Sequence, residues 1–493
     1  SRVDINKGPG PDGIPSIFLR QCAFSLSRPL WLLFNESLST GIFPNVWKCS
    51  YVVPIYKNCG DKCDVTKYRP ISLQPHFSKV FESIVNEYLN LFFKNIITTR
   101  QHGFLSGRSV DTNLMVYVDY LSRALERGVG VDAVYTDFSK AFDKVDHCLL
   151  LNKLYNYGVR GDMLNWLSSY LKGRTQIVKI KNCYLSQPLD VTSGVPQGAH
   201  LAPLLFNIFI NDITSCFHYS EFLLYADDLK IYSALDHELS VSQLQEDLNR
   251  LCVWCEKNKM IINIDKCSSI QFTRSILLKE NKYVLNNLEI DNVNIIKDLG
   301  ILFDKKITFN DHVVAICNKA FKMLGFIRRH TRDFNNVQVI KVLYTSLVRS
   351  HVETGAPIWS PNYQLYANMI ERVQKKFIRY CAFKLGMSLD RVDYNDLCAR
   401  LGLETLDHRR IKMDALFVYK LVNGVIHVPE LLSLVNFRAP CRVLRGTSTF
   451  EISNHRTLYG AHRSLDRLLQ SSDLASADIF NSSAVNFKNS IRL

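Results

Sequence analysis

Phe222-Leu223-Leu224-Tyr225-Ala226-Asp227-Asp228-Leu229-Lys230-Ile231-Tyr232 sets two adjacent carboxylates between two apolar, β-forming runs. Such runs around a short polar centre read as a β-hairpin with the acidic pair at its tip. Two anions side by side in an apolar setting repel each other and are costly to bury unless a cation compensates them. A pair of divalent ions about 3.5–4 Å apart is one use of such a cluster. A plain Asp-Asp turn is the other, since Asp suits turns. The hairpin alone leaves both readings open.

Bridging two ions takes a third carboxylate, and Ala133-Val134-Tyr135-Thr136-Asp137 supplies one at the end of another β-like run. Asp137 precedes Asp227 by 90 residues (227 − 137), ample for neighbouring strands of one sheet. Asp137 also suits the N-cap of the helical pattern that follows at 141–157, a role compatible with the first.

Further out, apolar residues at helical spacing predict helices over 15–39, 79–93, 112–127, 141–157, 162–171 and 201–210. Strand-like runs fall at 50–56, 68–73, 131–136, 177–180 and 188–192, the first two forming a mobile hairpin around a basic loop with Lys57, Lys62 and Lys67. This mixture is α+β. After about Lys306 come helices with basic faces at 312–329, 337–349 and 368–380, with Phe321, Phe326, Tyr344 and Phe377 interleaved. The last hundred or so residues mix helical signals with Ser and Asn and carry no repeat or further motif.

The 493 residues exceed one ordinary domain, and a hydrophobic fraction of 47% with 22% charged residues excludes disordered and fibrous classes. A net charge of +14 suits a polyanionic partner such as nucleic acid. No run reaches the roughly 18 unbroken apolar residues of a membrane span, the nearest being 201–210 with Pro203 and Asn207 inside it. Ser1-Arg2-Val3-Asp4 has no initiator Met and no apolar signal segment, so the chain is expected to be a fragment of a longer reading frame, acting in the nucleus and cytoplasm. The 14 cysteines have no regular spacing and read as reduced intracellular thiols. Cys252 and Cys255 form a CxxC, but they share an apolar helical face with Leu248, Leu251 and Trp254, and no second pair follows at zinc spacing.

Three segments in order, Thr136-Asp137-Phe138-Ser139-Lys140-Ala141-Phe142-Asp143, Ser193-Gly194-Val195-Pro196-Gln197-Gly198 and Tyr225-Ala226-Asp227-Asp228, resemble the central motifs of non-long-terminal-repeat (LINE-type) retrotransposon reverse transcriptases, near the jockey-like group. The likeness extends to Gly10-Pro11-Asp12-Gly13-Ile14-Pro15, Tyr68-Arg69-Pro70-Ile71-Ser72-Leu73, Asn263-Ile264-Asp265-Lys266 and Asp298-Leu299-Gly300-Ile301, covering roughly residues 8–360. It implies a right-hand polymerase fold: an N-terminal extension at 1–44, fingers and a palm with an antiparallel sheet at 45–305, a helical thumb at 306–385 and a mostly helical C-terminal region of unassigned role at 386–493.

The same resemblance implies the site. Asp137, Asp227, Asp228 and the Phe138 carbonyl would hold two Mg²⁺ ions, with Mn²⁺ as a substitute, and Lys266 would protonate the pyrophosphate leaving group. Arg69, aided by Lys57, would bind the incoming triphosphate. Phe142 would exclude a ribose 2′-hydroxyl, and Gln197 would lie beside the nucleotide. Gly194 and Gly198 would let backbone approach the nucleic acid, and Leu299 and Gly300 would grip the primer. Ala199-His200-Leu201-Ala202-Pro203 departs from the family pattern of a small hydroxyl residue and a Gly, setting a methyl at Ala202 beside the expected template path. The implied partners are an RNA template, a DNA primer or target and dNTPs; oligomeric state has no signal. Two rivals are a decayed or adopted nucleic-acid-binding protein, against which the intact acidic triad speaks, and an RNA-templated RNA polymerase, which Phe142 opposes.

Overall fold

A computed structural model describes residues 4–180, 184–275, 281–387, 393–438, 448–452, 454–455, 457–461 and 463–491. Two sheets organise it. The first joins Tyr68–Leu73, Cys49–Tyr56 and Arg174–Ile180, with the short strands Tyr184–Leu185 and Leu189–Val191 beside the last. Its first two strands pair antiparallel from Tyr51↔Leu73 to Tyr56↔Tyr68, forming the finger hairpin.

The second sheet runs Asp291–Asn292, Ser268–Phe272, Val131–Thr136, Asp228–Ala234, Glu221–Tyr225, antiparallel except at the short first strand. Alternation along its strands sorts side chains to opposite faces. Val131, Ala133, Leu223, Tyr232, Ile270 and Phe272 enter one buried cluster. Val134, Phe222, Leu224, Leu229 and Ile231 enter the other. The sheet therefore divides two cores and carries the acidic hairpin at its rim.

The second core also takes in Phe81, Trp166 and Phe206, and lies under the fingers. The first is covered by Val110–Glu126, Asn310–His330, Gln364–Lys384, Leu406–Val422 and Ser464–Ser472. Val110–Glu126 starts on a capping box in which Ser109 and Thr112 exchange side-chain and backbone bonds. The α+β class and the right-hand layout of finger sheet, palm sheet and helical thumb follow from this arrangement. Among the described residues no helix is long and apolar enough to cross a membrane.

Three expectations need correction. The pattern at 141–157 is two helices, Ala141–Lys144 and His147–Asn156, because Val195 N and Gly194 N take the Phe142 and Val145 carbonyls (both 2.8 Å) and Asp146 caps the second through Leu149 N (3.0 Å). Asp137 caps neither; Lys140, in the left-handed region, precedes the first. Ala202 is buried at the start of Ala202–Ile210, its methyl in the core and not in a groove.

Candidate active site

The pairing of Val131–Thr136 with Asp228–Ala234 runs to Thr136↔Leu229, so its next step sets Asp137 across from Asp228. Side chains of cross-strand partners point to one face, about 4.5–5.5 Å apart at Cβ. Tyr225↔Asp228 closes the other side of the hairpin, leaving Ala226 and Asp227 as its two-residue turn. Ala226 has a φ of +58°, a region that residues other than Gly rarely enter. Antiparallel bonds from Asn263 N to Asp137 O and from Ser139 N to Ile261 O, each 2.8 Å, hold the end of the Asp137 strand. Neither uses the carbonyl of Phe138, whose ring is buried.

The cluster is electrostatically stressed. Burial, then the charges of Asp227, Asp298 and Asp137, push the Asp228 carboxyl up to about 6 against the pull of Lys230. Asp227 is raised by burial and by Asp137, with Lys266 opposing. Lys266 Nζ lies 2.9 Å from Asp137 Oδ2. Among the described residues no three His, Cys, Asp or Glu side chains converge on one point. Like charges repel, and Asp137 is turned onto the nearest ammonium. The donor chemistry of hard carboxylate oxygens, two of the groups raised by burial and neighbouring anions, nevertheless fits a hard divalent cation.

Beneath Asp228, a groove of about 380 Å³ is lined by Asn113, Tyr135, Asp137, Tyr225, Asp228, Lys230, Lys266, Asp298 and Leu299 among others. Lys230 and Asp298 form a buried ion pair there, with Lys230 Nζ 4.6 Å from the centre of the Tyr117 ring. The pair joins the Asp228 strand to the hairpin Ile295–Asp298 and Ile301–Asp304, whose turn is Leu299 and Gly300, both at positive φ. The sequence displays both residues of this pair but not that they meet.

Arg69, Lys57, Phe142 and Gln197 lie outside that groove. Arg69 is exposed on the finger hairpin opposite Ile55, while Lys57 Nζ donates to Thr66 O at 2.9 Å. Phe142 stacks on Phe206, centroids 4.3 Å apart. Gln197 Nε2 donates to Asp143 Oδ1 (3.1 Å), and its carbonyl accepts from Ser72 N (2.7 Å), tying this loop to the fingers. The two glycines make their close approach to protein: a Cβ on Gly194 would lie 2.8 Å from the Asp143 backbone, and one on Gly198 2.7 Å from Ser72 O.

On the helices after Lys306, Lys319, Lys322, Arg328, Arg329, Arg372, Lys375, Lys376 and Arg379 are exposed. Two of the interleaved aromatics are not surface groups: Tyr344 and Phe377 stack in the core with centroids 3.9 Å apart. Cys255 is buried on the apolar face of Ser240–Asn258, as its spacing indicates, and burial pushes its thiol well up.

A family model described as "Reverse transcriptase (RNA-dependent DNA polymerase)" matches residues 57–327. Relatives include the RNA-directed DNA polymerase from mobile element jockey of Drosophila melanogaster, 29% identical over 77% of this chain and 42% of that protein. The probable RNA-directed DNA polymerase from transposon BS of the same fly is 27% identical over 76% of this chain and 43% of its own length. A Pol polyprotein from type-1 retrotransposable element R1 of Bradysia coprophila is 23% identical over 78% of this chain and 38% of that protein. These relatives bear out the resemblance read from the motifs, and the chain spans less than half the length of each. Apo telomerase from Candida tropicalis is a loose structural likeness, with a TM-score of 0.41 and 10% identity over 74% of this chain and 63% of that one.

Proposed function

The chain belongs to the reverse transcriptase (RNA-dependent DNA polymerase) family, and from that premise we propose that it copies an RNA template into DNA, adding dNTPs to a primer 3′-hydroxyl. The observation that carries this reading is the strand register that sets Asp137 across from Asp228, with Asp227 at the adjoining turn.

In this reading Asp137, Asp227, Asp228 and the Phe138 carbonyl hold two Mg²⁺ ions, or Mn²⁺ in their place. Bound there, such ions would supply charge neutralisation at the attacking and leaving oxygens of an in-line displacement. No protein nucleophile is required, because the primer oxygen bonds to the α-phosphorus as pyrophosphate leaves. Lys266, its ammonium already among the carboxylates, supplies the proton to pyrophosphate.

The remaining groups bind and orient. Arg69 offers a planar fork to the triphosphate. Lys57 stands on the same face of the hairpin two residues from Arg69's partner Ile55, adding a second cation. Phe142, stiffened by Phe206, excludes the 2′-hydroxyl, while Gln197 borders the nucleotide. Leu299 and Gly300 hold the primer end, and the exposed cations of the thumb hold template–primer phosphates without reading sequence.

The test is primer extension on homopolymer RNA with Mg²⁺ or Mn²⁺. Asp227→Ala is expected to lose extension by about 10³-fold or more while template–primer binding in a filter assay persists, since charge neutralisation and groove attraction are separate functions. Retained synthesis in that variant refutes the assignment.

A further inference from the structure

Residues 100–103 run along the outer edge of the palm sheet. Leu224 N donates to Arg100 O and His102 N to Leu224 O, each at 2.9 Å, so the segment adds a parallel neighbour to Glu221–Tyr225. Beyond Tyr225 the strand ends, and a side chain takes over its role. Gln101 Oε1 accepts from Ala226 N (2.9 Å) and Gly103 N (2.7 Å), and its Nε2 donates to Ala226 O (3.2 Å). Both backbone groups of the turn residue are thus held by one amide, itself 1% exposed.

Gly103 presses on the same turn, since a Cβ there would lie 2.3 Å from Ala226 N. Buried amides brace both sides: Asn207 Nδ2 donates to Gly103 O (2.9 Å) and Asn113 Nδ2 to Leu224 O (3.0 Å). The residue so held is the one at φ +58°, immediately before the two carboxylates. An Ala in that region, followed by two anions that repel each other, does not keep its shape unaided.

We propose that Gln101, backed by Gly103, is a positioning residue for the metal-binding turn, its amide holding Ala226 so that Asp227 and Asp228 are presented together. This rests on the reading of Asp227 and Asp228 as metal ligands. Removing the amide lets the turn relax and separates the carboxylates, at a distance from any substrate. Groups that support metal ligands in this way commonly change affinity or activity by about 10–100-fold when lost.

The test uses Gln101→Met, close in shape but without the three hydrogen bonds, in the full chain. Expected are a fall in kcat of about 10–100-fold, a dNTP KM and template–primer Kd near wild type, and weaker Mn²⁺ binding to the nucleic-acid-free protein by electron paramagnetic resonance. Gly103→Ala, whose Cβ would press on Ala226 N, is expected to give the same signature. If Gln101→Met fails to fold, Gln101→Asn keeps a neutral amide but draws it back by one methylene, so that it no longer reaches Ala226 and Gly103 together, and an intermediate loss is expected. Unchanged Mn²⁺ binding and kcat, or a loss matched by equal falls in thermal midpoint and template–primer affinity, overturns the proposal. A wild-type protein that binds Mn²⁺ but extends no primer refutes the polymerase reading, while the Mn²⁺ comparison still judges the clamp.

Discussion

Phe142 is packed face to face on Phe206 and edge-on to Phe104, yet it is only partly buried. A ring held on one side and open on the other is a rigid wall, which a 2′-hydroxyl gate requires. Phe142→Ala is therefore expected to shift the ratio of kcat/KM for dNTPs over rNTPs toward ribonucleotides by about 10–200-fold, the range that one pocket wall commands. Single-nucleotide extension on one template–primer measures this, with a melting curve to show that the variant is folded. An unchanged ratio removes the gate role. That Asp137 and Asp228 would be neighbours was legible in the sequence because strand periodicity is 2, so the two, each at a strand end, fall on one face once the strands pair. The positions of Ala202, Gly194 and Gly198 were not legible. Each depends on which backbone lies opposite, and the chain meets that partner only through the fold: Asp143 for Gly194 and Ser72 for Gly198.

The strand Asp228–Ala234 and the hairpin of Ile295–Asp298 and Ile301–Asp304 are joined through Lys230 and Asp298, both nearly inaccessible. Burial pulls the Lys230 ammonium below its usual range, with Asp298 opposing. Breaking such a pair by removing one partner leaves a buried charge alone and typically costs about 3–5 kcal/mol, whereas replacing both with apolar groups can be near neutral. Lys230→Met is thus expected to be strongly destabilising, and Lys230→Met with Asp298→Leu to recover most of the loss, as read by urea midpoints. If the single variant loses under about 1 kcal/mol, or the double variant is no better than the single, the two elements are not coupled as described. Where periodicity placed an element its type mostly holds, and the palm strand Val131–Thr136 falls where its β-forming run lies, but its neighbour Ser268–Phe272 and the hairpin of Ile295–Asp298 and Ile301–Asp304 gave no such signal. The break at 145–146 was hidden, because an unbroken apolar pattern continues through it. What stops the helix is Gly194 and Val195 capturing two of its carbonyls from across the fold.

At the scale of the whole molecule, one core runs from the palm sheet through the helices after Lys306 into the C-terminal region. Leu406, Ala415, Val418, Leu465, Leu468 and Leu469 share a buried cluster with Ile370, Val373 and Phe377 and with Leu114, Val118 and Leu121 of Val110–Glu126. Polar contacts lock the same interface: Arg463 pairs with Asp119, and the ring nitrogens of His455 lie against Glu126 (2.7 Å) and Asp466 (2.8 Å). The sequence hid this, since a Ser- and Asn-containing tail shows its apolar residues only in short helices whose partners lie some 340 residues away along the chain, as Arg463 and Asp119 do. A chain ended after Leu385 would uncover that apolar surface and strand Asp119, which is 1% exposed, beside Arg123 alone. Losing several buried leucines, each contributing about 2–5 kcal/mol, exceeds the total stability of about 5–15 kcal/mol typical of a folded protein. The truncated protein is therefore expected to aggregate, or to melt far below the full chain, and to bind template–primer poorly even though every residue of the candidate active site is retained. Soluble expression with an unchanged melting midpoint and undiminished affinity would show that the palm and the helices up to Leu385 stand without the C-terminal region.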